Sequence, residues 1–130
     1  MNKVFLGGTC ADSKWREELI PVIQVSFFNP VVEDWTPEDK AIEDAEKEAN
    51  CNVHLYVITK PQSIYSIAEV VDSTHMGKLV VLHIVPNEFD EHQLKHMMAI
   101  ADLVIKRGGI AYCDADISRT ARVINYCFKD

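Results

Sequence analysis

The chain has 130 residues, which is enough for one domain with a substantial core and too few for two, so we expect residues 1–130 to form a single domain. Its 20 acidic and 13 basic residues give a formal net charge of -7, and no run of Lys or Arg is present, so nucleic acid and anionic membranes are poor candidate partners. No stretch approaches the ~20 apolar residues of a membrane span, and the first residues lack a signal-peptide pattern, so we expect a cytoplasmic protein.

Short apolar runs rich in Val, Ile, Leu and Phe predict five buried strands, at residues 3–6, 26–28, 53–58, 79–85 and 109–112. Segments with helical spacing alternate with them, at residues 14–24, 37–49, 63–74, 91–106 and 115–128. The second helix has the clearest start, because Thr36 is followed by Pro37 and by an acid three residues after the cap, Asp39. This alternation predicts an α/β fold in which helices cover both faces of a parallel sheet.

The four cysteines are Cys10, Cys51, Cys113 and Cys127. They form no CxxC pair, so neither a zinc site nor a disulfide framework is predicted. We expect reduced and mostly buried thiols.

Ligands of open α/β sheets bind at the carboxyl ends of the strands, so the turns at that edge are the place to look for a site. The turn after the first strand contains Gly7 and Gly8, which allow backbone N–H groups to approach a ligand, although such a pair is more often only a tight turn. The loop after the second strand carries Asn29, two acids and Trp35. The Trp35 ring either stacks on a ligand or covers the core, and aromatic residues do the second more often.

Glu69 stands among apolar residues in the helical stretch "SIYSIAEVVDST" at residues 63–74. At 100° per residue it lies at the border of a predicted apolar face that comprises Ile64, Ile67, Ala68 and Val71. An arbitrary helical Glu is usually solvated, but Glu69 lies about two turns from the helix start and therefore near the binding edge. A partly desolvated carboxylate there can act as a nucleophile or as an acid or base.

The histidines are weaker candidates for a site. His92 and His96 have i, i+4 spacing, but without a third ligand or an HExxH arrangement we interpret them as surface or cleft residues and predict no metal site. His54 and His83 fall within strand patterns and are predicted to be hydrogen-bonded core residues.

Five segments of the chain form a recognisable set: VFLGGTC, WREELIP, FFNPVVEDW, LYVIT and YSIAEVVD. In this order, and covering nearly the whole chain, they resemble the nucleoside 2-deoxyribosyltransferase family and its relatives, the deoxynucleoside monophosphate N-glycosidases. The resemblance implies a flavodoxin-like, Rossmann-like, doubly wound five-stranded parallel sheet in three α/β/α layers. It also implies a homodimer or higher homo-oligomer whose neighbouring subunit closes the site, and a reaction without a metal or organic cofactor.

In that family a Glu on the helix after the third strand attacks C1′ of deoxyribose and expels the base, and a second base or water then takes the sugar. Glu69 occupies this position. The family places a second carboxylate eight residues before an Asp that opens the third strand. This chain has Asn52 in place of that Asp, and counting back from it gives Asp44, whereas the helical wheel puts Glu46 and Glu48 nearer an apolar edge formed by Ala41, Ala45 and Ala49.

The resemblance also implies a set of substrate-binding residues. Gly7, Gly8 and Thr9 would line the sugar or phosphate site, and Asn29, Asp34 and Trp35 the base side. Ser63, Tyr65 and Ser66 would complete the site, with the Tyr65 hydroxyl holding the Glu69 carboxylate. Ser63 stands where the transferases have an Asp and the monophosphate glycosidases a Ser that contacts the 5′-phosphate, so it favours a phosphorylated substrate.

The sequence thus favours N-glycosyl transfer or hydrolysis on a deoxynucleoside or its 5′-monophosphate. Two alternatives stay open. The departures at Asn52 and Ser63 suit a catalytically silent nucleotide-binding module, and a TIR-like hydrolase of NAD would share the architecture and a Glu nucleophile.

Overall fold

A computed structural model describes residues 3–129 of the chain, so residues 1, 2 and 130 of the expected domain lie outside the described range. Five parallel strands form one sheet in the order β2-β1-β3-β4-β5. They are β1 (Lys3–Gly8), β2 (Ser26–Phe28), β3 (Val53–Ile58), β4 (Leu79–Ile84) and β5 (Ile110–Cys113). The chain winds from β1 outward to β2 and then returns to the other side of β1, so the switch point of the sheet lies at the carboxyl ends of β1 and β3.

Five α-helices connect and cover the strands: α1 (Trp15–Leu19), α2 (Pro37–Ala45), α3 (Ile64–Thr74), α4 (Glu91–Lys106) and α5 (Ile117–Cys127). This is the flavodoxin-like three-layer fold that the sequence predicted. The helix predicted at residues 14–24 ends early, in the 3₁₀ turn Ile20–Val22, because Pro21 lacks the N–H that an α-helix needs. The helix predicted at residues 37–49 continues past Ala45 as a π-helical turn, Glu46–Asn50.

The predicted start of α2 is confirmed by its hydrogen bonds. The Thr36 hydroxyl accepts from the Asp39 backbone N–H, and the Asp39 carboxylate accepts in return from the Thr36 backbone N–H. This capping box satisfies two backbone donors that the helix leaves free, which explains why the boundary was readable from sequence.

The core lies in two layers, one on each face of the sheet. Alternate residues of β3 enter each layer: Leu55 packs with α1 and α5 on one face, and Tyr56 packs with α3 and α4 on the other. Because all of β3 is buried on both faces, its sequence is a continuous apolar run interrupted only by His54 and Tyr56, whose polar atoms are hydrogen-bonded.

All four cysteines are free thiols, but the expectation that most are buried is only partly met, since Cys51 alone is fully buried and Cys10 is exposed. Within residues 3–129, the structure contains no helix with both the length and the apolar character that crossing a membrane requires.

The predicted buried face of α3 is largely wrong, and of its four residues only Ile67 packs against the core, where it is partly buried. Ile64, Ala68 and Val71 are exposed, whereas Glu69, Val70 and Ser73 are buried. The polar side chains turn inward because each has a partner there. The Ser73 hydroxyl bonds to both His54 and Tyr56 of β3, and the Glu69 carboxylate meets Lys47 of the π-helical turn.

The predicted apolar edge of α2 is also wrong. Ala41, Ala45 and Ala49 are exposed, and the helix and its π-helical turn bury Glu43 and Lys47 instead. Glu46 is partly buried by its ion pair with Lys3 (2.8 Å), and Glu48 is exposed. Hydrophobic periodicity cannot rank these positions correctly, because a charged side chain is buried only where a distant partner is available to it.

Candidate active site

A cavity of about 580 Å³ opens at the switch point of the sheet, and its volume lies within the usual range for small-molecule sites. Its walls come from the turns after β1 and β3, the loop after β2, the inner side of α2 and the first turns of α3. The predicted site residues that line it are Gly7, Gly8, Thr9, Trp35, Ser63, Tyr65, Ser66 and Glu69. Asn29, Asp34 and Asp44 belong to the described chain but lie outside this lining.

The turn after β1 requires glycine at residue 8. The φ angle of Gly8 is 118°, in the region that favours glycine, and a Cβ there would overlap the Val57 backbone carbonyl of the neighbouring strand. The Arg16 guanidinium, which is buried, fixes the same turn by donating to the Leu6 and Thr9 carbonyl oxygens, each at 2.8 Å. Sequence reasoning missed Arg16. Its donors are used by the backbone, so it supports the turn.

Two hydroxyls join the turn after β1 to the turn after β3. The oxygens of Thr9 and Ser63 lie 2.6 Å apart, and the Thr9 hydroxyl also accepts from the Thr59 backbone N–H at 2.9 Å. Ser63 is the N-cap residue of α3, yet its side chain makes no capping hydrogen bond to that helix. Its hydroxyl therefore lies at the cavity wall beside Thr9.

Glu69 forms a buried ion pair on the cavity wall. Its Oε2 accepts a hydrogen bond from Lys47 Nζ at 2.5 Å, and the residues are only 8% and 3% exposed. Burial raises the pKa of Glu69, and the Lys47 ammonium opposes this rise. Burial lowers the pKa of Lys47, but the hydrogen bond and charge of Glu69 outweigh it, so the net shift is upward and Lys47 stays protonated. Tyr65, predicted to hold this carboxylate, is half exposed, and in the described part of the chain Lys47 makes the hydrogen bond instead.

A second carboxylate, Glu43, also lines the cavity and is buried. Among the described residues, none provides a hydrogen-bond partner for its Oε2 atom. Burial raises the pKa of Glu43, and the negative charge of Glu69 raises it further. The pKa of both carboxyl groups is raised, but their surroundings differ: Glu69 is paired with a cation, whereas among the described residues no partner contacts Glu43 Oε2.

Asp44, the second carboxylate implied by the resemblance, has a different position. It accepts from Lys40 at 2.7 Å, is considerably exposed, and faces a smaller cavity of about 290 Å³ on the other side of the Lys47–Glu69 pair. Counting back eight residues from Asn52, the spacing that the resemblance implies, reaches Asp44, and one residue further back is Glu43, which lines the main cavity.

The loop after β2 contributes less than its sequence suggested. Asn29 uses its side-chain oxygen to accept from the Val31 backbone N–H at 3.2 Å, which closes a local turn. Asp34 is exposed, and Trp35 lies at the cavity rim with about half of its surface exposed. The binding roles suggested for Asn29 and Asp34 stay predictions.

The predicted locations of the histidines, two in the core and two at the surface, are confirmed. His54 and His83 are buried and hydrogen-bonded on both ring nitrogens. His92 and His96 are exposed, and no group of three potential metal ligands occurs within residues 3–129.

The hydrogen bonds around His54 have one consistent direction. Burial lowers its pKa to about 4, so the ring is neutral at pH 7 and carries one proton. The Lys47 carbonyl only accepts, so Nε2 donates to it (2.9 Å) and Nδ1 accepts from the Ser73 hydroxyl (2.8 Å). The Ser73 oxygen in turn accepts from the Tyr56 hydroxyl (2.7 Å). This chain of bonds ties β3 and α3 to the turn that carries Lys47.

Comparison with known proteins gives one match. A family model described as nucleoside 2-deoxyribosyltransferase like matches residues 1–87, a stretch that contains every residue lining the main cavity. Neither a search of curated proteins nor a search of solved structures found a match.

Proposed function

This chain belongs to the nucleoside 2-deoxyribosyltransferase-like family, and from that premise we propose that it breaks the N-glycosidic bond of a deoxynucleoside or its 5′-monophosphate. The observation that carries the proposal is the buried carboxylate of Glu69 on the wall of a ligand-sized cavity at the switch point of the sheet. The family match and the geometry of the cavity both support a reaction centred on Glu69.

Glu69 is the proposed nucleophile. Lys47 occupies Oε2, so Oε1 is the oxygen available to attack C1′ of the sugar. The attack forms an ester bond between Glu69 and C1′ and breaks the bond from C1′ to the base nitrogen, whose electron pair leaves with the base. In the second step a water molecule or another base attacks C1′ and releases Glu69 as the carboxylate.

Glu43 is the proposed acid for the departing base. Its surroundings favour the neutral carboxyl, which can give its proton to the base as the C1′–N bond breaks. In hydrolysis, the carboxylate then takes a proton from the attacking water and the cycle closes. Both steps balance with these two carboxyls alone, without a metal or organic cofactor.

The cavity walls suggest which end of the substrate goes where. Trp35, Val31 and Val32 form an apolar wall on the side of the β2 loop, suited to the flat face of a base. Thr9, Ser63 and Lys60 lie on the opposite side, after β1 and β3. Hydroxyls beside a lysine suit a 5′-phosphate, so we propose that monophosphates are preferred over free nucleosides.

We further propose that a second copy of this chain covers the cavity mouth. Ile64 is 76% exposed at the cavity rim, and Trp35 and Tyr65, which also line the cavity, are about half exposed. Apolar side chains grouped around a site commonly mark a contact surface. Light scattering after size-exclusion chromatography should give the mass of a dimer or larger assembly, and a monomer at micromolar concentration would contradict this proposal.

The reaction is tested by incubating the protein with deoxynucleosides and their monophosphates and measuring free base by liquid chromatography. We expect release of base, greater with monophosphates, and a deoxyribosyl adduct on Glu69 by mass spectrometry of the intact protein. Glu69→Gln should abolish both. If the wild type releases no base from any of these substrates, the proposal fails.

Two further measurements separate the alternatives. Release of nicotinamide from NAD would indicate the TIR-like hydrolase. Equal nucleotide affinity of the wild type and Glu69→Gln in calorimetry, without turnover, would indicate the silent module.

The assignment of the acid is tested by a matched pair, Glu43→Gln and Asp44→Asn. We expect a loss of about 10²- to 10⁴-fold in kcat for Glu43→Gln, which is the usual contribution of general acid catalysis, and a much smaller change for Asp44→Asn. The reverse order would assign the role to Asp44.

A further inference from the structure

We propose that Lys47, which the π-helical turn Glu46–Asn50 carries to Glu69, is a positioning residue that holds Oε2 of the nucleophile and sets the lower pH limit of the reaction. This inference rests on the proposed function, since it concerns the state in which Glu69 attacks. The effect of Lys47 on the titration of the Glu69 carboxyl can nevertheless be measured without turnover.

The contact between the two side chains is direct and buried. Lys47 Nζ lies 2.5 Å from Glu69 Oε2 and 5.3 Å from the centre of the Phe5 ring, and only 3% of Lys47 is exposed. Lysine is almost never buried without a partner, because removing an ammonium from water is costly. A buried ion pair of this kind contributes little net stability compared with a well-packed apolar pair. Because the Glu69 member of the pair lines the main cavity, the pair favours a chemical role over a purely structural one.

The backbone conformation around Lys47 places its side chain against Glu69. A π-helical turn is rare, and such turns occur frequently at functional sites. Here Lys47 of the turn and Glu43 of α2, four residues apart, are both buried, and Lys47 contacts Glu69. The Lys47 carbonyl is also fixed, because the neutral His54 ring donates to it from Nε2.

Several charged or titratable groups lie around Glu69, and Lys47 is hydrogen-bonded to it. They are Lys47, Glu43, Asp44 and Lys40 from α2 and its π-helical turn, Arg16 from α1, Tyr56 from β3, and Tyr65 and Asp72 from α3 itself. Asp44 opposes ionisation of Glu69, and burial opposes it more strongly. Without the Lys47 charge, these effects would favour the protonated Glu69 carboxyl, which cannot attack C1′.

The test compares the pH dependence of kcat/KM in the wild type and in Lys47→Met, which keeps the length of the side chain and removes its charge. A cation in contact with a carboxyl lowers its pKa by about 1–3 units, so we expect the acid limb of the variant to move up by about 1 to 2 pH units. Below both limbs this is about a 10- to 100-fold loss of kcat/KM, which rising pH should largely restore. Lys47→Arg should retain the wild-type limb.

Lys3→Met is the matched control. It removes an ion pair of the same π-helical turn that does not involve Lys47, Lys3–Glu46, and Lys3 does not line the cavity. A merely structural role for Lys47 predicts that both variants lower the melting temperature and leave the acid limb in place. That result would overturn the inference.

A carbon-13 NMR titration of the Glu69 carboxyl tests the inference independently of turnover. We expect the titration midpoint of Lys47→Met to lie above that of the wild type by the same 1 to 2 pH units. If Lys47→Met does not fold, Lys47→Gln replaces it, because its amide can donate to Glu69 but carries no charge. A wild type without activity but with the expected shift defeats the proposed function and leaves the ionic role of Lys47 standing. An active wild type whose variant shows no shift defeats the inference alone.

Discussion

Lowering the pH from 7 to 5 should destabilise this protein through His54. The ring is fully buried, donates to the Lys47 carbonyl and accepts from the Ser73 hydroxyl. A protonated ring has no acceptor nitrogen, so its hydrogen bond with Ser73 would have to reverse direction, and the ring would place a charge in the core. The folded state therefore binds this proton far less readily than the unfolded chain.

The size of the effect follows from the pKa of His54, which burial lowers from 6.5 to about 4. The stabilisation is present above the unfolded value and is lost as the pH falls toward the folded one, because the unfolded state then binds more protons. At 1.36 kcal/mol per pH unit, the free energy of unfolding should fall by about 2 kcal/mol between pH 7 and pH 5, and by about 3 kcal/mol at pH 4.

The assay is urea unfolding followed by circular dichroism at a series of pH values, comparing the wild type with His54→Gln. Glutamine supplies both a donor and an acceptor but does not titrate in this range, so the variant should lose about 2 kcal/mol less than the wild type between pH 7 and pH 5. Other groups, including the buried His83, are common to both proteins and cancel in the difference. His92→Gln, at an exposed histidine, should follow the wild type. Equal pH dependence in the wild type and His54→Gln would refute the reasoning.

Two further predictions concern the cavity walls. Gly8→Ala should lower the free energy of unfolding by about 2 kcal/mol or more, because the φ angle of 118° and the Val57 carbonyl both exclude a Cβ. Gly77→Ala, at a φ of 73° with open space around it, should lower it by about 1 kcal/mol, and equal losses in thermal unfolding would contradict this. Glu43→Gln should become more stable relative to the wild type as the pH rises from 4 to 7. Burial and Glu69 raise the pKa of Glu43, so its ionisation in the wild type lowers the free energy of unfolding. A difference between the two proteins in urea unfolding that stays constant across this pH range would contradict the prediction.

Much of the fold was readable from local sequence patterns. The buried strands are continuous apolar runs, the start of α2 carries a capping box, and the glycines after β1 mark a turn that admits no Cβ. These signals depend on neighbouring residues, so they survive without knowledge of the tertiary structure. The same local information placed Glu69 on a helix that starts at the binding edge of the sheet.

The tertiary structure alone decided which side chains face the cavity. Lys47 and Glu69 are 22 residues apart and lie on two different elements, and their contact buries a lysine that no local pattern predicts to be inside. Glu43 lines the cavity where the family spacing indicated Asp44. The physical reason for the burial of Lys47 is that a charged side chain is buried where a distant partner offsets its desolvation, and no periodicity within one helix records where that partner lies.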